Sequence, residues 1–169
     1  MMILSCTKKI RDKLKKSKEL EDEKVDLSIS NWYVDLIRLN RKEYYLFTNS
    51  VMLYSFLTYI GTEKEKKNLE SIFRSKLIEA IKADFGISES SFESKLFTDN
   101  DFRYVKTNSR SILGVMNDYK YQIEVLIWHK EITEEDYESL RHYLNECPMS
   151  TINYSSGKKE MAKFLSISE

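Results

Sequence analysis

The chain has 169 residues, 41% hydrophobic and 32% charged, which is the balance of a globular domain rather than a disordered or fibrous one. Lys and Arg total 27 and Asp and Glu also total 27, so the broad electrostatic footprint of a nucleic-acid binder is absent, although a local basic patch is compatible with zero net charge. The two cysteines, Cys6 and Cys147, make no disulfide framework, and no apolar run nears the ~18 residues of a membrane span; a single cytoplasmic domain over residues 1–169 is expected, with no membrane association.

Residues 3–6 read as a short buried strand. Thr7 caps a basic helix that runs to about Leu20 and carries Lys8, Lys9, Arg11, Lys13, Lys15, Lys16 and Lys18. A nucleic-acid face is one reading of those cations. A solvated surface helix is the other, because Glu19, Glu21, Asp22, Glu23 and Asp26 follow and cancel the charge. Residues 19–30 read as a mobile acidic loop.

Residues 32–40 and 43–49 are rich in β-branched and aromatic side chains and flank a polar Asn40-Arg41-Lys42, so they predict a hairpin. A second tight turn at Asn49-Ser50 leads into residues 51–60, apolar on both faces and expected to be a central strand. Thr62 and Glu65 fit a capping box for a helix ending at Gly86, and Ser90 with Glu93 fits a cap for a short helix to about Phe97. Residues 102–107 alternate as a further strand. Thr133 caps a helix that ends before Pro148, residues 152–154 read as a short extended piece, and a last helix carries Met161, Phe164 and Leu165. The expected fold is α+β: an antiparallel sheet, built from a 32–60 meander plus strands near 3–6 and 102–107, packed by several helices.

Residues 106–118 hold the densest special chemistry. Ile112, Val115, Met116, Tyr119, Ile123, Leu126 and Ile127 share one face of a helix, which must be buried. Asn108 sits at the N-cap position, with Thr107 or Ser109 as alternatives. Beside the apolar face runs a ridge of Arg110, Gly114, Asn117 with Asp118, and Tyr121. Glycine costs about 1 kcal/mol relative to alanine inside a helix, so Gly114 points to a close approach by a side chain, another backbone or a ligand. Free amides at a helix start attract phosphate or carboxylate, and Lys106 and Arg110 flank this one. A well-capped core helix accounts for the same residues without a ligand.

The junction at Thr7, Lys8 and Lys9 has similar chemistry. If the two strands are parallel neighbours, both helix starts open on one edge, with Asn31 as a polar group and Trp32 as a stacking plate. Phosphate loops, dinucleotide fingerprints and convincing metal spacings are absent; His129, His142 and Cys147 do not combine as a ligand set. Neither a cofactor nor a metal is expected. Cys6, ahead of a basic helix start, has the setting of a reactive thiol, but its most economical role is a small buried residue.

Residues 3–9 (Ile-Leu-Ser-Cys-Thr-Lys-Lys), Asn31-Trp32-Tyr33, residues 46–49 (Leu-Phe-Thr-Asn) and residues 106–118 (Lys-Thr-Asn-Ser-Arg-Ser-Ile-Leu-Gly-Val-Met-Asn-Asp) together resemble an uncharacterised bacterial family known only as a domain of unknown function. Members more often carry Asp-Trp where Asn31-Trp32 stands, and often Asn in place of Asp35. The resemblance implies a stand-alone cytoplasmic bacterial protein of about this size, and it brings no activity, cofactor or substrate.

These residues support a domain binding a phosphate-bearing ligand, either a nucleotide or nucleic acid. Its expected contacts are Lys106, Thr107, Asn108, Ser109, Arg110, Asn117, Asp118, Lys8, Lys9 and Trp32. The alternative is a non-enzymatic protein-interaction or regulatory module, antitoxin-like, bound to a protein partner through exposed aromatics. Catalysis through Cys6 is the third reading. Oligomeric state is not legible.

Overall fold

The structure, a computed structural model, describes residues 1–128 and 130–168. A five-stranded sheet in the order β4-β3-β2-β1-β5 forms its middle layer. The strands are β1 (Met2–Cys6), β2 (Asn31–Leu39), β3 (Lys42–Asn49), β4 (Ser55–Tyr59) and β5 (Phe102–Lys106). The helices are α1 (Lys8–Leu14), α2 (Glu63–Lys67), α3 (Leu69–Phe85), α4 (Glu93–Leu96), α5 (Arg110–Leu126), α6 (Glu134–Glu146) and α7 (Gly157–Leu165).

The hairpin of β2 and β3 forms as the sequence predicts. Asn40 and Arg41 both take positive φ, which suits a two-residue connection between right-twisted strands. The sheet as a whole corrects the expectation of an antiparallel one. It is mixed: β1 runs parallel to β2 on one side and to β5 on the other. The physical reason lies in the connections. Helix α1 and the segment after it carry the chain from the end of β1 back to the start of β2, the long crossover that a parallel pair requires.

Residues 51–60 are also corrected. Asn49 Oδ1 accepts from the amides of Val51 and Met52, and Leu53 adopts positive φ, so residues 51–54 turn. Only Ser55–Tyr59 is a strand, and it lies at the sheet edge. It is nevertheless covered on both faces, with Phe56 in one core and Leu57 in the other.

Strand alternation sorts the interior into two cores. Leu4, Trp32, Val34, Tyr45, Phe47 and Phe56 face α1, α3 and α7, where Ile10, Leu14, Phe73, Leu77 and Met161 are buried. Tyr33, Ile37, Tyr44, Leu46 and Leu57 face α5 and α6, where Ile112, Met116, Tyr119, Ile123 and Leu140 are buried. The first basic helix is shorter than expected, ending at Leu14, and the 62–86 helix breaks at Asn68. The capping box at Thr62/Glu65, the cap at Thr133 and the left-handed Gly86 at the end of α3 form as predicted, and Asp136 completes a second capping box with Thr133. Near Ser90 a 3-10 turn over Glu89–Ser91 precedes α4. Residues 150–152 form a second such turn rather than an extended piece.

Candidate functional site

Strands β1 and β5 lie side by side with Cys6 opposite Lys106, so the junctions at Thr7 and at residues 107–109 leave the same edge of the sheet. Their helices then diverge, α1 onto one face and α5 onto the other. In open sheets, a crevice outside the carboxyl ends of adjacent parallel strands, where successive helices part to opposite faces, is the place a ligand is received.

Several residues of this crevice were not singled out from sequence. Tyr33, on β2, lies beneath α5, and its hydroxyl accepts from the amides of Asn108 (3.3 Å) and Ser109 (3.0 Å) while donating to Asn108 Oδ1 at 2.7 Å. Asn108 therefore does not cap the helix. Ser109 does, accepting from the Ile112 amide at 3.3 Å. The amides of Arg110 and Ser111 are left without a partner among the described residues. Two residues along β2, the carboxylate of Asp35 is almost wholly buried. It accepts from Thr7 Oγ1 (2.8 Å), the Leu36 amide (2.8 Å) and Lys120 Nζ of α5 (2.6 Å). This network ties the end of β1 to α5 through β2.

The acidic segment closes the outer side. The Glu21 amide donates to Tyr104 O, Lys24 bridges Lys106 as a strand would, and Asn108 Nδ2 donates to Val25 O. Arg103 binds the carboxylates of Glu21 and Glu23. The Asp22 carboxylate is shared by Arg11 at 2.7 Å and Lys106 Nζ at 3.0 Å. The hydrogen bond from Lys106, with the Coulomb pull of Lys106 and Arg11, holds the Asp22 carboxyl below its ordinary range. One carboxylate thus brings a cation of α1 and a cation of β5 together.

The remaining expected contacts fall into three groups. Lys8, Lys9 and Arg110 are exposed and make no ion pair among the described residues. Thr7 and Ser109 are committed to the hydrogen bonds given above, and Thr107 is half-buried between the strand and the helix start. Asn117 and Asp118 are exposed on α5 roughly 10 Å along the axis from its start, too far to share a phosphate with Ser109. Trp32 is corrected: its ring is wholly buried against Phe56 and Phe73, on the core face away from α5, and has no free face for stacking. Asn31 is a buried structural group, accepting from Ser5 Oγ and donating to Asp26 O. Gly114 is likewise corrected. A Cβ built there meets nothing within 4 Å, so no close approach explains the glycine.

Burial pushes the Cys6 thiol up to about 12, against the opposing charge of Arg11, and its Sγ donates to Leu4 O at 3.4 Å. That environment stores a neutral thiol and does not activate one. His129 lies outside the described residues. Among the described residues no group of three His, Cys, Asp or Glu side chains could hold a metal ion, and no helix is long and apolar enough to cross a membrane.

Fold and site together define an α+β domain with a polar edge where two parallel strands hand the chain to helices on opposite faces. The chain belongs to the family described as Domain of unknown function (DUF6933), whose model matches residues 3–160. No curated protein matches it.

Proposed function

We propose that this domain binds a phosphate-bearing ligand, a nucleotide or the end of a nucleic-acid strand, in the crevice at the carboxyl edge of β1 and β5. The observation that carries the reading is Asp22: an anionic group of the chain itself already sits between Arg11 and Lys106. A phosphate occupying that position meets the same two cations. Arg110 and the amides at the start of α5, with Lys8 and Lys9 at the start of α1, leave the same edge of the sheet and supply further positive charge there. The two free cysteines support a reducing, cytoplasmic setting, and the family resemblance supports a bacterial one.

The test is thermal shift and calorimetry with ATP, inorganic phosphate and a 5′-phosphorylated oligonucleotide. A ligand at about 100 times its Kd stabilises a fold by ~2.7 kcal/mol, a clear shift for a domain of this size. Arg110→Ala and Lys106→Ala are expected to abolish the shift. Asp22→Asn, which removes the competing negative charge without adding bulk, is expected to tighten binding. Stabilisation that survives both alanine variants unchanged places the ligand elsewhere.

One observation favours the second reading, a protein-interaction module. Tyr121, Val125 and Trp128, at steps of four and three along α5 and just beyond it, are 69%, 53% and 71% exposed, an apolar stripe on the outside of the helix. Substituting Tyr121 and Val125 by serine leaves phosphate binding intact under the first reading and removes partner binding under the second.

A further inference from the structure

The two edges of the sheet are handled differently. Along β5 the acidic segment covers the outer side, with the Glu21 amide on Tyr104 O and Lys24 bridging Lys106. Along β4 a single side chain does the covering. Asn145 of α6 accepts the Ser55 amide on Oδ1 at 2.7 Å and donates Nδ2 to the Ser55 carbonyl at 2.7 Å. These two bonds are what a residue of a neighbouring strand would make, so a side-chain amide here stands in for one residue of a sixth strand.

Beyond Ser55 the substitute runs out. In a strand the N–H and C=O of one residue point to the same side and alternate along the chain, so Leu57 and Tyr59 face outward as Ser55 does. Their outward groups meet no partner among the described residues. They open onto a groove of about 690 Å³ between α3 and α6, lined by Phe56 to Tyr59, Ala80, Ala83 and Tyr137.

The unpaired charge around this groove has one sign among the described residues. Lys76 and Arg141 are its cations, and both are already paired, with Glu79 and Asp84. Glu65 is committed to its capping box. Glu134, Glu135 and Glu138 on the α6 rim are exposed and make no ion pair among the described residues. A strand edge with unpaired N–H and C=O groups is a template for a further strand, and the unpaired rim selects the cargo.

We propose that the β4 edge receives an extended, lysine- or arginine-bearing segment of a partner protein as a sixth strand, continuing the ladder that Asn145 begins. Main-chain bonds to Leu57 and Tyr59 hold it, and its cationic side chains meet Glu134, Glu135 and Glu138. The proposal is independent of the anion crevice at the other end of the strand order.

The test titrates the full chain with a capped peptide of about ten residues alternating Lys and Val. Binding is read by fluorescence anisotropy, and amide hydrogen exchange is followed at Leu57 and Tyr59. The peptide is expected to bind and to slow exchange at both amides. A Glu/Val peptide of equal length is expected not to bind, nor is a Lys/Val peptide N-methylated at alternate residues. Losing three exposed ion pairs in the combined E134Q, E135Q and E138Q variant is expected to weaken binding about tenfold. Unchanged exchange at Leu57 and Tyr59, equal binding of the acidic or the N-methylated peptide, or no binding at all overturns the proposal. Protection of those amides that rises with protein concentration alone also overturns it, because a second copy of the chain is then the occupant. The N-methylated peptide keeps the test decisive should the triple variant misfold.

Discussion

Asn145 makes the most exacting claim of the structure, because one side chain satisfies both backbone groups of a wholly buried residue. Ser55 and Asn145 are both 0% exposed, so water cannot replace the amide once it is removed. Asn145→Ala leaves the Ser55 N–H and C=O orphaned, and each buried unsatisfied group costs about 1–3 kcal/mol, so the variant should lose roughly 2–6 kcal/mol of stability. The third bond, from Nδ2 to Arg141 O at 2.9 Å, adds little, because that carbonyl keeps its partner within the helix. Asn145→Asp should lose more at neutral pH. It keeps the acceptor for the Ser55 amide but aims an anionic oxygen at two carbonyls. The introduced carboxyl is therefore held above its unfolded pKa. Its protonated form restores one donor, so the Asp variant is expected to be least impaired at low pH and to lose stability as pH rises through the folded value. Urea unfolding followed by circular dichroism measures both variants. A loss below about 1 kcal/mol for Asn145→Ala, with an unchanged denaturant slope, would mean that Ser55 finds other partners and that the strand-mimic argument is wrong.

Three further outcomes follow from contacts and ionisation. An added Cβ at Gly157 would lie 2.8 Å from Asn145 Oδ1 and 3.0 Å from Leu53 O, so Gly157→Ala should lower Tm by the equivalent of about 1–3 kcal/mol despite alanine's better helix propensity; a higher Tm refutes the close approach. Iodoacetamide at neutral pH should label Cys147 well before Cys6, because Cys6 is buried as a neutral thiol; rapid Cys6 labelling in the folded state would revive a catalytic role. With its folded pKa raised to about 12 from an ordinary 9.0, Cys6 contributes stability that is complete below pH 9 and is lost as pH climbs toward 12. Tyr45, Tyr104 and Tyr119, also raised by burial, act in the same direction, so Tm should fall above pH 9; a flat alkaline profile would contradict this.

The elements that were legible in the sequence are those fixed by chemistry a few residues apart. Asn40-Arg41 between two aromatic runs, Thr62 with Glu65, Thr133 ahead of its helix, and Gly86 after an apolar helix each settle their own backbone, and all four appear where expected. Strand direction is not local. The parallel pairing of β1 depends on how α1 and the 15–30 segment return the chain, and no residue within residues 3–6 encodes that. The misplacement of β4 has a different cause. Residues apolar on both faces were read as central, but α3 and α6 overhang an edge strand and bury Phe56 and Leu57 equally well. Burial on two faces reports cover above and below, and says nothing about a neighbour alongside.

The same distinction governs the site. Lys106, Asn108, Ser109 and Arg110 were visible because they cluster at one predicted helix start. Tyr33, Asp35, Lys120, Arg11 and Asp22 were missed as members because their partners lie far along the chain: Tyr33 bonds Asn108 across 75 residues and Lys120 bonds Asp35 across 85. Asp35 did carry a signal. A carboxylate inside a strand that is otherwise apolar must find a cation or several donors once buried, and Lys120, on the edge of α5's apolar face beside Tyr119, is the cation it finds. Asp22 carried the opposite kind of signal, since a run of acids following a run of bases reads as mutual cancellation. In the fold that cancellation is local and directional. The acidic segment does not neutralise α1 as a whole. It lays one carboxylate between Arg11 and Lys106 and leaves Lys8, Lys9 and Arg110 unpaired among the described residues, so this edge of the sheet keeps a surplus of positive charge.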